Sequence, residues 1–144
     1  MEKIEKLKKI FKREKIDGYI IPKNDEFFSE YIPDHNDRLN FISGFSGSYG
    51  LALILKDKNY LFVDGRYTLQ ANNQSKKKFK VITIPDKMPS DILKSKKLII
   101  GFDPNLFTKK SLSTFFGKSE CKYKPLLKNL IDEIWKRKVK KNEN

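Results

Sequence analysis

The chain has 144 residues and a formal net charge of +13, with 38% hydrophobic, 12% aromatic and 34% charged side chains. That composition suits one globular domain with a single core under a strongly charged surface. Its apolar runs fall far short of the ~20 residues that cross a bilayer, and the single Cys121 excludes an internal disulfide framework and a cysteine zinc site.

Residues 3–16 place Ile4, Leu7, Ile10 and Phe11 at spacings of three and four among lysines and glutamates, the pattern of an amphipathic surface helix. This basic start lacks the apolar stretch of about 7–15 residues that marks a secretory signal, so a reducing, cytoplasmic setting is expected. Asp17-Gly18 ends the helix, and Tyr19-Ile20-Ile21 reads as a short buried strand stopped by Pro22. Asn24 or Asp25 is expected to cap a short helix carrying Phe27, Phe28 and Tyr31, and Asp37–Phe41 a further helical turn. Ser43 to Gly50 holds three glycines and three serines and is read as a loop. Leu51–Leu55 and Tyr60–Val63, joined by a four-residue polar turn, form an antiparallel hairpin. Both runs are apolar almost throughout, which implies cover on both faces.

Asp64-Gly65-Arg66-Tyr67 leads into a helix through Leu69 and Ala71. Strands are predicted at 79–84, 98–102 and 121–123, and helices at 90–94 and after Thr108, the latter stopping at Gly117. Leu126, Leu127, Leu130, Ile131 and Ile134 recur at helical spacing before Trp135. Alternating strands and helices with one hairpin predict an α/β, three-layer domain with a mixed sheet of about six strands over residues 1–135. Residues 136–144, rich in Lys and Asn, read as a linker or tail.

Chemistry is sparse. Asp34-His35-Asn36-Asp37 surrounds the lone histidine and reads as a self-capping loop in preference to a metal site. Gly44-Phe45-Ser46-Gly47 lacks the spacing of a nucleophile elbow, and Gly117-Lys118-Ser119 lacks the upstream glycine of a phosphate loop. The charge is carried by scattered lysines; the arginines are Arg13, Arg38, Arg66 and Arg137, so nucleic-acid binding is disfavoured. Asp64 and Gly65 read as a strand-to-helix turn, and Arg66 as either part of that turn or a carboxylate contact held by Asp64.

Taken in order, Tyr19–Pro22, Ser29–Ile32, Arg38, Phe41–Ser48, Asp64–Tyr67 with Leu69-Gln70-Ala71, Gly101–Pro104 and Asn129–Trp135 resemble the start of Xaa-Pro aminopeptidases of the creatinase/prolidase superfamily. The resemblance implies a non-catalytic N-terminal domain with a ribonuclease H-like motif, bordering the peptide cleft of a metal-dependent Xaa-Pro aminopeptidase. It implies middle and catalytic domains as partners and a peptide with proline second as substrate, and it leaves room for a homodimer. It also implies two divalent metals, usually manganese, held by two Asp, one His and two Glu outside this chain. The chain is then an excised domain or a truncated frame, with no catalytic or metal-binding residue of its own.

In creatinases an arginine near the equivalent of Ser43–Gly50 contacts substrate. Here that loop has no arginine, which suits a peptide better than creatine. The cleft candidates are Arg38, Ser46, Gly47, Ser48, Tyr49, Asp64, Arg66 and Tyr67. The alternatives are a free-standing peptide or small-molecule binding module and, less favoured, a basic nucleic-acid-associated protein.

Overall fold

A computed structural model describes residues 2–25, 27–29 and 31–137. Helix α1 (Lys3–Glu14) forms where Ile4, Leu7 and Phe11 share one face, and all three are buried. It ends at Lys15, which turns left-handed at φ 58° and donates its N–H to the Lys12 carbonyl. Strand β1 (Gly18–Pro22) comes next, buried at every position. Helix α2 (Arg38–Ser43) starts where the Asp37 carboxylate accepts the Asn40 N–H. The hairpin of β2 (Gly50–Leu55) and β3 (Asn59–Asp64) leads through a 3-10 turn at Gly65–Tyr67 into α3 (Thr68–Gln74). Then come β4 (Lys80–Ile84), α4 (Pro89–Ile92), β5 (Ile99–Phe102), α5 (Lys109–Phe116), β6 (Lys122–Pro125) and α6 (Leu130–Ile134).

The strands form one six-stranded sheet in the order β4-β3-β2-β1-β5-β6. Strand β2 runs antiparallel to both neighbours, and the other pairings are parallel. Because side chains alternate across a strand, Tyr19, Ile21, Ala52, Ile54, Leu61 and Val63 pack with residues of α1, α2, α3 and α6 on one face. Ile20, Leu51, Leu53, Phe62 and Ile82 pack against Leu93 and Phe116, beside α4 and α5, on the other. The three-layer α/β arrangement with a mixed sheet is therefore the one expected, and the apolar runs of the hairpin are covered on both sides.

Three local expectations need correction. The helix expected after Asn24 does not form among the described residues. Asp25 is fully buried, and its carboxylate accepts from the Phe27 N–H (3.2 Å), the Ser29 N–H and hydroxyl (both 2.9 Å) and Asn36 Nδ2 (3.3 Å). The same side-chain-to-backbone bonding that caps helices also closes turns. Phe28 sits there at φ 52°, and Phe27, Phe28 and Tyr31 remain exposed. The last helix begins only at Leu130, capped by Asn129: Leu126 instead donates its N–H to Phe102 O at the β5 edge, and Leu127 is exposed. The final strand is Lys122–Pro125, shifted from the expected 121–123. Of the expected tail, residues 138–144 lie outside the described residues, whereas Arg137 still pairs with Asp132 at 3.1 Å and covers the Trp135 ring.

Candidate functional site

The carboxyl ends of the parallel strands meet at one edge of the sheet, and the loop entering antiparallel β2 reaches the same edge. Pairing of Gly50 with Val63 sets the 44–49 loop beside the Asp64–Tyr67 turn. This loop is held from within. The Ser43 hydroxyl donates to Leu39 O (2.7 Å) and accepts the Phe45 N–H (3.1 Å), while Asn40 Nδ2 donates to Phe45 O (3.2 Å). Gly44 turns at φ 82°, a conformation that suits glycine. The Phe45 ring is fully buried beneath the loop and meets Tyr67 edge-on, with centroids 5.8 Å apart.

Helix α3 ties down the loop's outer part. The Ser46 N–H donates to Gln74 Oε1 (2.9 Å), and Ser46 Oγ accepts from Gln74 Nε2 (2.8 Å) and Gln70 Nε2 (3.1 Å). The Ser48 and Tyr67 hydroxyls share a 2.6 Å hydrogen bond. On the neighbouring turn, Asp64 Oδ1 accepts from both the backbone N–H (2.9 Å) and Nε (3.1 Å) of Arg66. Those bonds hold the Asp64 carboxyl below its ordinary pKa, and the side-chain bond to Asp64 raises that of Arg66. Burial, with the Asp64 charge adding to it, raises the Tyr49 phenol.

The loop divides the predicted residues between two depressions. Ser46 and Ser48 line one of about 520 Å³, together with Lys23, Tyr31, Asp34, Asp37 and Trp135. Tyr49, Asp64 and Arg66 line another of about 420 Å³, against Ile84, Pro85, Met88, Thr114 and Phe115. Tyr67 stands between, bonded to Ser48 and lying under the Arg66 guanidinium at 5.3 Å. Gly47 is packed on the Phe45 ring. Arg38 is not brought to either depression: it is 3% exposed and binds Asp132 through two nitrogens.

Sequence reasoning missed Gln70 and Gln74 as the loop's tethers, although their spacing of four on one helix face was a usable signal. It also missed Trp135, Met88 and Phe115, whose positions depend on elements distant in the chain. Around the lone histidine, Asp37 is committed to capping α2 and to an ion pair with Lys23. Among the described residues no group of three or more His, Cys, Asp or Glu side chains converges. No described helix is long and apolar enough to cross a membrane.

The profile of the Creatinase/Prolidase N-terminal domain matches residues 3–132. Aminopeptidase P1 of Lotus japonicus is 37% identical over 83% of this chain and 19% of its own length. Xaa-Pro aminopeptidase ApepP of Drosophila melanogaster is 34% identical over 83% of this chain and 21% of its own. The chain thus spans about a fifth of the curated relatives it matches. Among solved structures, X-prolyl aminopeptidase from Caenorhabditis elegans, described as a cytosolic enzyme with a di-nuclear active site, superposes with a TM-score of 0.82 at 32% identity. That match covers 92% of this chain and 25% of the worm protein. The N-terminal domain of the cytoplasmic peptidase PepQ from Mycobacterium tuberculosis shares the fold, with a TM-score of 0.70 at 20% identity over 92% of this chain and 98% of that one.

Proposed function

Because the chain belongs to the Creatinase/Prolidase N-terminal domain family, we propose that it serves as the non-catalytic N-terminal domain of a metal-dependent Xaa-Pro aminopeptidase, walling the cleft that admits the peptide. In this reading the two divalent ions, manganese by the resemblance, are held by a catalytic domain beyond these residues. The middle and catalytic domains are its partners, the setting is cytoplasmic, and the substrate is a peptide with proline at the second position. The domain occupies residues 1–135.

The observation that carries the reading is the tethered loop at the carboxyl edge. Ser46 is pinned by Gln70 and Gln74, and Ser48 by Tyr67, beside a depression walled by Tyr31 and Trp135. A wall that selects peptides by size and backbone bonding has to be rigid, and a loop fixed to a helix and a buried aromatic supplies that rigidity. The Phe45 and Ser46 N–H groups are spent inside the protein, which leaves the Gly47 and Ser48 N–H groups and the second hydrogen of the Ser48–Tyr67 hydroxyl pair for peptide carbonyls, without introducing charge. Arg38 would contribute indirectly, by anchoring α2 to α6.

A domain exchange tests this. This chain replaces the N-terminal domain of the C. elegans enzyme, and hydrolysis of an Xaa-Pro peptide is followed with manganese present. Activity is expected to survive, with Ser48→Ala and Tyr67→Phe raising KM while kcat holds. The isolated chain is expected to turn over nothing, with or without manganese. Turnover by the isolated chain, or KM values indifferent to both substitutions, would overturn the proposal.

A further inference from the structure

The second depression has a different chemistry from the first. Its walls are Ile84, Met88 and Phe115, on the face of the sheet opposite α1, and its mouth carries the Tyr49 phenol and the Arg66 guanidinium. Arg66 is a poor structural anchor: its side chain is 74% exposed, and its ion pair with Asp64 uses only Nε. Its two terminal nitrogens have no hydrogen-bond partner among the described residues. The Nε bond to Asp64 engages one edge of the guanidinium and the Tyr67 ring lies 5.3 Å from it, which leaves the two terminal nitrogens as a fork available to a ligand. The Tyr49 hydroxyl likewise has no hydrogen-bond partner among the described residues.

A planar two-pronged donor over an apolar floor matches one ligand chemistry. We propose that this depression binds a small carboxylic acid with an apolar body, its carboxylate seated on the Arg66 fork and its hydrocarbon part against Ile84, Met88 and Phe115. The depression, about 420 Å³ and open to solvent, has room to seat a small ligand against its apolar wall without enclosing it. Asp64 also lines the depression, and its charge opposes an incoming anion. Its Oδ1 accepts from the N–H and Nε of Arg66, so the guanidinium charge sits beside that oxygen and offsets it. The inference goes beyond the cleft-wall reading and stands apart from it, since it concerns the opposite side of the loop and needs no catalytic domain.

The test is a titration of the 144-residue chain, followed by amide NMR shifts, with 3-phenylpropionate as probe. Saturable shifts are expected to cluster at Tyr49, Arg66, Met88 and Phe115, with a Kd on the order of 1 mM. Acetate, which lacks the apolar body, and 3-phenylpropanol, which lacks the charge, are expected to leave those amides unmoved at the same concentration. Arg66→Gln should weaken binding about tenfold, and Arg66→Lys should recover only part of it, because a point charge replaces a fork. Met88→Ala, which leaves every charge in place, should also weaken it severalfold. Unsaturated shifts spread over the surface lysines, an equal response to acetate, or unchanged binding by both Arg66→Gln and Met88→Ala would overturn the assignment.

Discussion

Arg38 and Asp132, 94 positions apart, close a two-point contact in which Nε meets Oδ1 at 2.9 Å and Nη2 meets Oδ2 at 3.0 Å. This fork binds α2 to α6, and beside it the Phe41 and Trp135 rings stack at 4.7 Å. The last helix is thereby locked against the segment that leads into the 44–49 loop. An arginine that resembled a cleft residue in sequence thus acts as an internal clamp.

Asp132→Asn is expected to lower the free energy of unfolding by about 2 kcal/mol, below the 3–5 typical of a fully buried pair because the Asp132 side chain is 37% exposed. Partial burial pushes the Asp132 carboxyl up, but its bonds to Arg38 and Arg137 outweigh that and leave its pKa below the ordinary value. A carboxyl depressed in the folded state stabilises it above the unfolded pKa of about 3.9 and loses that contribution as pH falls through the folded value. Urea midpoints of the parent chain and Asp132→Asn should therefore differ at neutral pH and converge below about pH 4. A constant gap across that range would contradict the clamp.

Tyr19 lies fully buried in β1, and its hydroxyl accepts the Leu130 N–H at 3.2 Å. Burial pushes this phenol well above its ordinary pKa. Tyr19→Phe strands the Leu130 N–H and should cost about 1–2 kcal/mol. A phenol raised in the folded state contributes stability below its unfolded pKa of about 10, and that contribution drains away as pH rises toward the folded value. The alkaline fall in stability should therefore be shallower in Tyr19→Phe, as thermal melts between about pH 8 and 11 would show.

A methyl group at Gly47 would stand 2.2 Å from Cζ of Phe45. Gly47→Ala is expected to destabilise by about 1–3 kcal/mol through overpacking. The mechanism predicts rescue: in a Phe45→Leu background the added cost of Gly47→Ala should fall by more than half. Equal costs in both backgrounds would show that backbone conformation, and not the ring, is responsible.

Removing the carboxylate of Asp25 takes away the acceptor for the Phe27 and Ser29 amides. Asp25→Ala should open the 25–29 turn at a cost of about 1–3 kcal/mol. Because Phe27 and Phe28 are already exposed, chymotrypsin cleavage there should accelerate strongly while the sheet amides keep their exchange protection. Loss of protection throughout the sheet would instead mean that Asp25 supports the whole fold.

The elements legible in the amino-acid string are those whose cause is local. Ile4, Leu7 and Phe11 sit at helical spacing, the hairpin runs are apolar around a polar turn, Asp64 caps the 3-10 turn and Thr108 caps α5, and each appears as expected. Where the local chemistry allowed two outcomes, tertiary packing chose. Asp25 could cap a helix or close a turn, and the neighbouring Asn36 and Ser29 draw its carboxylate inward. Leu126 and Leu127 kept the helical rhythm, yet the carbonyl of Phe102 claims the Leu126 amide for the sheet edge.

The candidate site divides in the same way. A Gly- and Ser-rich loop next to an Asp-Gly-Arg turn announced itself by composition, since such a run has to bend sharply. Which side chains face which depression was not written there. That depends on β2 running against its neighbours, which sets Ser46 and Ser48 toward α2 and α3 and leaves Tyr49 with Arg66 on the side of α5. Arg38 goes inside because its counter-charge comes from a helix at the far end of the chain. Spacing along the backbone specifies local conformation, whereas partnership across the molecule exists only after the sheet has brought distant strands together.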